Sequence, residues 1–411
     1  MGSRTFAQDR EMSSFASKCE GMLVGSLLGD ALGGPVEFDL NGLAREVMPN
    51  LRDWPDDRIA TSADFRRLAE SLELHGYERL RPGVEPYGQW KELSLAGTVT
   101  DDSRHKIVMM DALRKALREK RALTRKDLAK SYLAFDSHPC VEAHPGYEPL
   151  LEEGHREFRL ASRWILGERD PQQALPPERM WNGVGTCCGM MTLLPIAAAC
   201  VGDPQQAYLA AYELGFFDNG NAKDINPSLV AGLSVALEAT CDLANPKSRR
   251  AAWRQIEEAM LRTDPLRYSE IPYLERPVAT WFNFACEAAK KADGSPKRLY
   301  RVIAEEVPHQ TAWEAQVIFS IVFAFAEFCD YDPLATLHLI LDYGEDTDSS
   351  AQLFGAFAGA LHGQEAFPAE MLETVRQRFQ EDYLEDLGEW VEVLTALSQR
   401  EMPLIEKIPA D

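Results

Sequence analysis

Helical periodicity runs through nearly the whole chain and limits its fold more than any other feature. Apolar residues recur at spacings of three and four, whereas the alternating pattern of half-buried strands is nearly absent. Helices are predicted over 14–33, 103–120, 125–135, 152–167, 187–201, 205–215, 226–240, 248–261, 279–291, 297–306, 312–329, 333–341, 349–362 and 368–398. We therefore predict an all-α fold, a single compact multi-helix domain over residues 12–411.

The remaining segments are predicted to be irregular. Residues 1–11 are expected to form a flexible tail, and residues 136–150 and 169–186 to form loops. Residues 38–99 mix Pro, Gly, Asp and Trp and are interpreted as an insertion that forms a lid over a cleft. Long loops in a compact domain are uncommon and often functional.

Two of the predicted helices carry glycines at every fourth position: Gly21, Gly25, Gly29 and Gly33 in the first, and Gly355, Gly359 and Gly363 in the second. Each set lies on one helix face. A glycine inside a helix costs roughly 1 kcal/mol relative to alanine, so the stripes predict central helices packed closely against their neighbours. Asp30 interrupts the first stripe, and both runs are too short for a membrane-spanning dimer.

Charge and cysteine usage exclude several classes of protein. The net charge is −22, from 65 acidic and 43 basic residues, which disfavours nucleic-acid binding and binding to an anionic membrane. The first residues lack the apolar core of a signal peptide, and no run of 18 uncharged apolar residues occurs. The eight cysteines form no CxxC motif and predict reduced thiols in a cytoplasmic protein. Cys187 and Cys188 are interpreted as packing residues rather than a redox pair.

Acidic residues concentrate at three points next to predicted helices. They are TDDS at 100–103, GEDTDSS at 344–350, and Glu37 just after the first glycine-striped helix. Asp348 or Ser349 could cap the following helix, where its dipole favours an anion, but this explains one carboxylate only. Adjacent carboxylates repel one another, and oxygen-only ligands select Mg²⁺, Mn²⁺ or Ca²⁺ over zinc. From the residues alone, a two-ion site and separate N-capping aspartates both stay open.

Three motifs together resemble the ADP-ribosylglycohydrolase family: GMLVGSLLGDALGGPVEF, then TVTDDS, then GEDTDSSAQLFGAFAGALHG. This family includes the dinitrogenase reductase-activating glycohydrolases and the enzymes that remove ADP-ribose from arginine or serine. The motifs occur in the family's order and span most of the chain. The resemblance implies an all-α domain with two Mg²⁺ (or Mn²⁺) ions at the base of a cleft. It also implies hydrolysis of the glycosidic bond between ADP-ribose and a protein side chain or small acceptor.

The resemblance also assigns roles to residues. The implied metal ligands are Thr100, Asp101, Asp102, Asp346, Asp348 and Ser349. Ser349 stands where the family usually has Thr and keeps the hydroxyl oxygen, whereas Glu345 replaces a usual Gly and is taken as non-ligating. Glu37 matches a mobile glutamate that ligates or shields a metal. Asp101, Asp102 and Glu37 are the candidates for the catalytic base that takes a proton from the attacking water.

The segment WNGVGTCCGMMTLLPIA departs from the family pattern. Aligned from Pro195, Cys187 and Cys188 fall where Asn-Gly is expected, and Thr192 replaces an Arg. The candidate substrate-binding residues are Asn182, Gly183, Thr186, Cys187, Cys188 and Gly189. The departure leaves the leaving group open, so the alternatives are a nucleoside or other ribosylated metabolite as substrate, or a non-catalytic family member.

Other polar and aromatic residues receive structural interpretations. His105 is expected on a helix surface, and His138 and His144 in a loop rather than at a metal. A second group could contact substrate or adenine but is interpreted as solvated loop, helix cap or core: Asp218, Asn219, Asn221, Phe216, Phe217 and Trp181.

Overall fold

The computed structural model describes residues 6–38, 62–77, 95–143 and 148–406. These residues form α-helices joined by turns, loops and short 3₁₀ segments and contain no β-strand, which confirms the all-α prediction. In chain order the helices are α1 (Phe6–Gly33), α2 (Ser62–Glu70), α3 (Asp101–Glu119), α4 (Arg125–Ala134), α5 (Pro139–Ala143), α6 (Glu148–Ile165), α7 (Cys188–Thr192), α8 (Pro195–Ala199), α9 (Pro204–Leu214), α10 (Ala222–Ala236), α11 (Pro246–Arg262), α12 (Pro277–Ala292), α13 (Pro296–Glu306), α14 (Ala315–Phe328), α15 (Pro333–Tyr343), α16 (Thr347–His362), α17 (Ala369–Tyr383) and α18 (Leu387–Ser398).

The two glycine-striped helices, α1 and α16, pack against each other at the centre of the molecule. Their backbones touch: a Cβ atom added to Gly359 would lie 1.9 Å from the carbonyl oxygen of Gly21. At the other end of the pair, a Cβ on Gly33 would lie 2.5 Å from the Cα of Asp348. The close packing predicted for the stripes is confirmed, and it places the end of α1 beside the start of α16.

Helix boundaries differ from the prediction by a few residues at several places, and three of the differences have clear local reasons. α1 begins at Phe6, because helix-favouring residues precede the apolar stripe and periodicity does not detect them. The helix predicted over 187–201 is two short helices separated before Pro195, which cannot continue the first. The helix predicted over 368–398 is interrupted at Leu384, whose φ of 56° is left-handed.

Residues 6–11, expected in a flexible tail, form the first turns of α1, and residues 1–5 lie outside the described part. Within the 38–99 insertion, α2 packs against α15, and the hydroxyl of Ser71 lies 3.0 Å from Nδ1 of His338. The lid predicted for this insertion lies largely outside the described residues. Among the helices in the described ranges, none combines the length and apolar character needed to cross a bilayer.

Candidate metal centre and cleft

The start of α3 is fixed to α1 by a buried carboxylate. Oδ1 of Asp30, on α1, accepts a hydrogen bond of 2.8 Å from the backbone N–H of Thr100, and Oδ2 accepts one from the hydroxyl of Ser103. Thr100 caps α3, and its Oγ1 accepts from the N–H of Asp102 at 3.2 Å. Asp30 therefore holds the first turn of α3, with its acidic residues, against the end of α1.

The start of α16 is fixed to the same place. The hydroxyl of Thr347 donates a hydrogen bond of 2.8 Å to the carbonyl oxygen of Gly33, and the N–H of Phe38 donates one of 3.0 Å to the carbonyl oxygen of Glu345. The Thr100 hydroxyl then joins α3 to α16 by donating to Oδ2 of Asp348 at 2.9 Å. Three segments distant in sequence thus meet at one point.

Two groups of carboxylates result, and they share Asp348. Carboxylate oxygens of Glu37, Asp346 and Asp348 all lie within 4.8 Å of one another, and the same holds for Asp101, Asp102 and Asp348. Asp346 stands at the N-cap of α16 and its side chain makes no capping hydrogen bond, whereas Asp348 and Ser349 lie inside the first turn. The alternative in which Asp348 or Ser349 caps this helix is therefore wrong.

Burial and crowding disfavour the charged carboxylates. Burial, followed by repulsion from neighbouring carboxylates, raises the pKa of Glu37, Asp102 and Asp346 well above the usual range. Burial also raises the pKa of Asp101 to about 7, although Arg104, with Nη2 3.9 Å from Asp101 Oδ1, lowers it. Clusters of this kind are stabilised by a bound cation.

The donor set fits divalent cations. Asp102 is 3% exposed, and its Oδ1 has no hydrogen-bond partner among the described residues. An unpartnered buried carboxylate oxygen is costly unless it binds a cation. Carboxylate and hydroxyl oxygens at these spacings suit Mg²⁺ or Mn²⁺.

A cavity of about 330 Å³ opens above the two groups. Its floor is formed by the five carboxylates of the centre and Ser349, and part of its wall by Thr186, Cys187 and Cys188. Four aromatic rings complete the wall in two pairs. Phe38 and Trp313 lie 6.0 Å apart between centroids, and Phe158 and Trp181 lie 6.5 Å apart.

The structure brings most of the predicted site residues together. Thr186, Cys187 and Cys188 line the cavity, but the exposed Asn182 and Gly183 do not. Gly189 lies behind the wall, where a Cβ atom would come within 2.4 Å of Nδ2 of Asn226. Of the six candidate substrate-binding residues, three therefore face the cavity.

Several structural interpretations are corrected. His105 is fully buried, because α3 is enclosed by other helices, and its Nδ1 lies 3.0 Å from the hydroxyl of Tyr132. Asp218 is buried rather than solvated and accepts a hydrogen bond of 2.9 Å from Asn226. Trp181 is 36% exposed at the cavity wall instead of in the core.

The outcomes for two phenylalanines and two histidines complete the comparison with the sequence predictions. Phe216 and Phe217 are core residues, as predicted. His138, expected in a loop rather than at a metal, has its Nε2 3.0 Å from Oε1 of Glu385. His144 lies outside the described residues.

Sequence reasoning missed five residues around the centre. Asp30 was noticed only as an interruption of the glycine stripe, although a charged residue among glycines and apolar residues signals a buried partner. Lys106 is buried, and its Nζ donates a hydrogen bond of 2.9 Å to the carbonyl oxygen of Asp102. Phe38 ends the first glycine-rich motif but carries no polar group that marks it as a site residue, and Phe158 and Trp313 belong to segments without a recognisable motif.

The fold and the site together define a class of all-α proteins with a buried cluster of carboxylates, which could hold divalent cations, at the base of a cleft. The sequence matches the profile of the family described as ADP-ribosylglycohydrolase over residues 11–402. The chain therefore belongs to the ADP-ribosylglycohydrolase family, whose members are generally metal-dependent and act on ADP-ribosylated substrates.

A solved structure described as an ADP-ribosylglycohydrolase-related protein complex is similar to this one, with a TM-score of 0.53 and 18% identity. The match covers 95% of this chain and all of the other, and at this identity it supports the fold alone. No curated protein matches the sequence.

Proposed function

We propose that the protein is a metal-dependent hydrolase that cleaves the glycosidic bond of ADP-ribose attached to a protein side chain or small acceptor. The observation that carries this proposal is the pair of carboxylate groups that share Asp348 at the base of the cavity. Family membership supports glycohydrolase chemistry in general.

The residues divide between two ion positions. The carboxylates of Asp101 and Asp102 would serve one, and those of Asp346 and Glu37 the other, with Asp348 between them. The hydroxyl groups of Thr100 and Ser349 lie beside these carboxylates and would supply further oxygen ligands. When bound, a pair of Mg²⁺ or Mn²⁺ ions supplies Lewis acidity and a template for the vicinal ribose hydroxyls.

The protein's own side chains supply the charge stabilisation and the proton transfer. Cleavage at the anomeric carbon develops oxocarbenium-like charge on the ribose, which the anionic floor of the cavity stabilises. A carboxylate at the floor takes the proton of the attacking water, and Asp101, Asp102 and Glu37 line the cavity where this proton is released. Glu37 follows the one-turn segment Gly34–Val36 at the edge of the cavity, and we propose that it gates the centre as the corresponding glutamate of the family does.

Hydrolysis of defined substrates tests the proposal. Purified protein is incubated with and without Mg²⁺ in the presence of ADP-ribosyl-arginine, ADP-ribosyl-serine or O-acetyl-ADP-ribose, and released ADP-ribose is measured. We expect release that depends on the metal. Asp346→Ala and Asp348→Ala should lower turnover by about 100-fold or more while helicity measured by circular dichroism is kept.

Glu345→Ala is the matched control, because Glu345 is exposed and adjacent to the centre. Full activity in either aspartate variant would show that the metal assignment is wrong. No release from any substrate, together with no ion bound, would instead favour a non-catalytic member of the family.

One observation favours a second candidate, a hydrolase of nucleosides or other ribosylated metabolites. Among the described residues that line the cavity there is no Lys, Arg or His, although such side chains commonly bind diphosphates. The cavity volume of about 330 Å³ lies near the lower end of ligand pockets, at about 300–1,000 Å³. Four aromatic rings offer stacking surfaces for a flat leaving group. Release from nucleosides but not from ADP-ribosyl compounds would identify this candidate.

A further inference from the structure

The thiol of Cys187 lies beside two of the oxygen-bearing residues of the centre, Asp346 and Ser349. Its Sγ is 3.9 Å from Oδ2 of Asp346 and 3.4 Å from the hydroxyl oxygen of Ser349. Cys187 is 5% exposed, and its N–H donates a hydrogen bond of 2.9 Å to the carbonyl oxygen of Trp313. The backbone that carries the thiol is therefore tied to the loop before α14.

A second, independent feature points to a ligand at the same place. Oδ1 of Asp102 is buried without a hydrogen-bond partner among the described residues, and its Oδ2 lies 3.3 Å from the Ser349 hydroxyl. One sulfur and the oxygens of two carboxylates therefore surround the hydroxyl of Ser349. This donor set is softer than the oxygen-only set expected from the acidic motifs.

Ligand softness decides which ions such a site prefers. Carboxylate and hydroxyl oxygens favour Mg²⁺ and Mn²⁺, whereas a thiolate strongly favours Zn²⁺, Co²⁺ and Cd²⁺. We propose that Cys187 is a sulfur ligand that, together with Asp346 and Ser349, allows the centre to take a thiophilic divalent cation. This inference rests on the proposed metal centre. Binding replaces the S–H bond by a sulfur–metal bond, and the proton leaves to solvent without any change of oxidation state.

The neighbouring cysteine provides a matched comparison. Cys188 also lines the cavity and is equally buried, but its Sγ accepts a hydrogen bond of 2.9 Å from the Thr186 hydroxyl. The thiol of Cys187 approaches Asp346 and Ser349, whereas the thiol of Cys188 is turned to the Thr186 hydroxyl. Serine substitution at each of the two positions therefore distinguishes a cysteine that binds metal from one that only lines the cavity.

The test uses the full chain and Co²⁺, which reports its ligands by absorption. Thiolate coordination gives an intense charge-transfer band in the near ultraviolet, and ligand-field bands in the visible report binding by any donors. We expect the charge-transfer band in the unmodified protein and in Cys188→Ser, and its loss in Cys187→Ser. The affinity for Zn²⁺ and Cd²⁺, measured by competition, should fall about 10-fold or more in Cys187→Ser, with little change for Mg²⁺.

The outcomes distinguish the two proposals. Ligand-field bands that disappear in Asp348→Ala, without a charge-transfer band in the unmodified protein, would overturn the sulfur ligand and leave the oxygen centre standing. Absence of any Co²⁺ binding to the unmodified protein would overturn both. Circular dichroism and the melting temperature of Cys187→Ser show whether a lost band reflects the ligand rather than the fold.

Discussion

Asp30 shows how a single side chain can organise the centre without belonging to either carboxylate group. It lies on α1 and accepts hydrogen bonds from Thr100 and Ser103, and Thr100 is 70 positions further along the chain. Burial raises the pKa of Asp30 to about 6, and Asp348 adds to the effect, whereas Lys106 opposes it. Its hydrogen bonds hold the first turn of α3, whose Asp101 and Asp102 face the cavity.

Replacement of Asp30 by asparagine should therefore impair the centre. We expect kcat/KM to fall about 10-fold and the affinity for Mg²⁺ to fall about 10- to 100-fold, because a neutral amide orients the first turn of α3 less well. Isothermal titration calorimetry and the hydrolysis assay measure the two effects.

Ser26→Ala is the control for Asp30→Asn. Ser26 lies on the same helix and donates a hydrogen bond of 2.9 Å to Oε1 of Gln352. Its loss should lower stability by about 1 kcal/mol and leave Mg²⁺ affinity unchanged. Equal losses of Mg²⁺ affinity in both variants would show that Asp30 acts only through general stability.

For the helices, the sequence predicts elements that have a repeating apolar pattern and misses a break that depends on a single residue. The apolar stripes of α3 and α14 recur over several turns, so their existence and approximate ends are predicted. The break at Leu384 depends on a single left-handed residue that no glycine or proline marks. Such a position is determined by the packing of α17 and α18, which only the folded chain contains.

The packing of α1 against α16 makes a prediction of its own. Gly359→Ala would place a Cβ atom 1.9 Å from the carbonyl oxygen of Gly21, so the two helices must move apart. We expect a loss of about 1–3 kcal/mol in the free energy of unfolding, measured by urea denaturation. The displacement should also weaken Mg²⁺ binding, because the same helix pair positions Asp348.

Gly388→Ala is the matched control for Gly359→Ala. Gly388 is an exposed glycine near the start of α18, and the nearest atom to an added Cβ is Oδ1 of Asp386, at 3.1 Å. The added Cβ meets only an exposed side chain there, so we expect the free energy of unfolding to change by less than about 1 kcal/mol. If Gly359→Ala changed it no more than Gly388→Ala does, the close contact between the helices would be refuted.

For the whole molecule, the sequence alone could not show that the acidic segments converge. Glu37, Asp102 and Asp348 are far apart in the chain, and only the resemblance to a family implied a common site. The oxygen-bearing residues of the short acidic motifs could be identified from the sequence as candidate metal ligands, because the ability to bind a cation belongs to each side chain itself. Of the aromatic wall only Trp181 could be considered, because Phe38, Phe158 and Trp313 approach the cavity from separate segments and their spacing carries no periodic signal.

The carboxylate cluster should make the stability of the whole molecule depend jointly on pH and on divalent cations. The pKa of Asp101 is raised from 3.8 to about 7, so between these values the folded chain binds more protons than the unfolded chain. Its contribution is present at low pH and is lost as the pH rises toward 7. For Asp101 alone the upper bound is about 4 kcal/mol, from about 1.4 kcal/mol per pKa unit.

Bound cations should oppose this loss, because they stabilise the charged carboxylates. We expect the free energy of unfolding in EDTA to decrease from pH 5 to pH 8, and to decrease much less in saturating Mg²⁺. Urea denaturation at both pH values, with and without Mg²⁺, measures the difference.

Asp382 is a control within the same molecule. Burial also raises its pKa to about 7, but it lies outside the two carboxylate groups, so its contribution to the pH dependence of unfolding is the same with and without the ion. Mg²⁺ stabilisation of equal size at pH 5 and pH 8 would therefore contradict a site built from these protonated carboxylates.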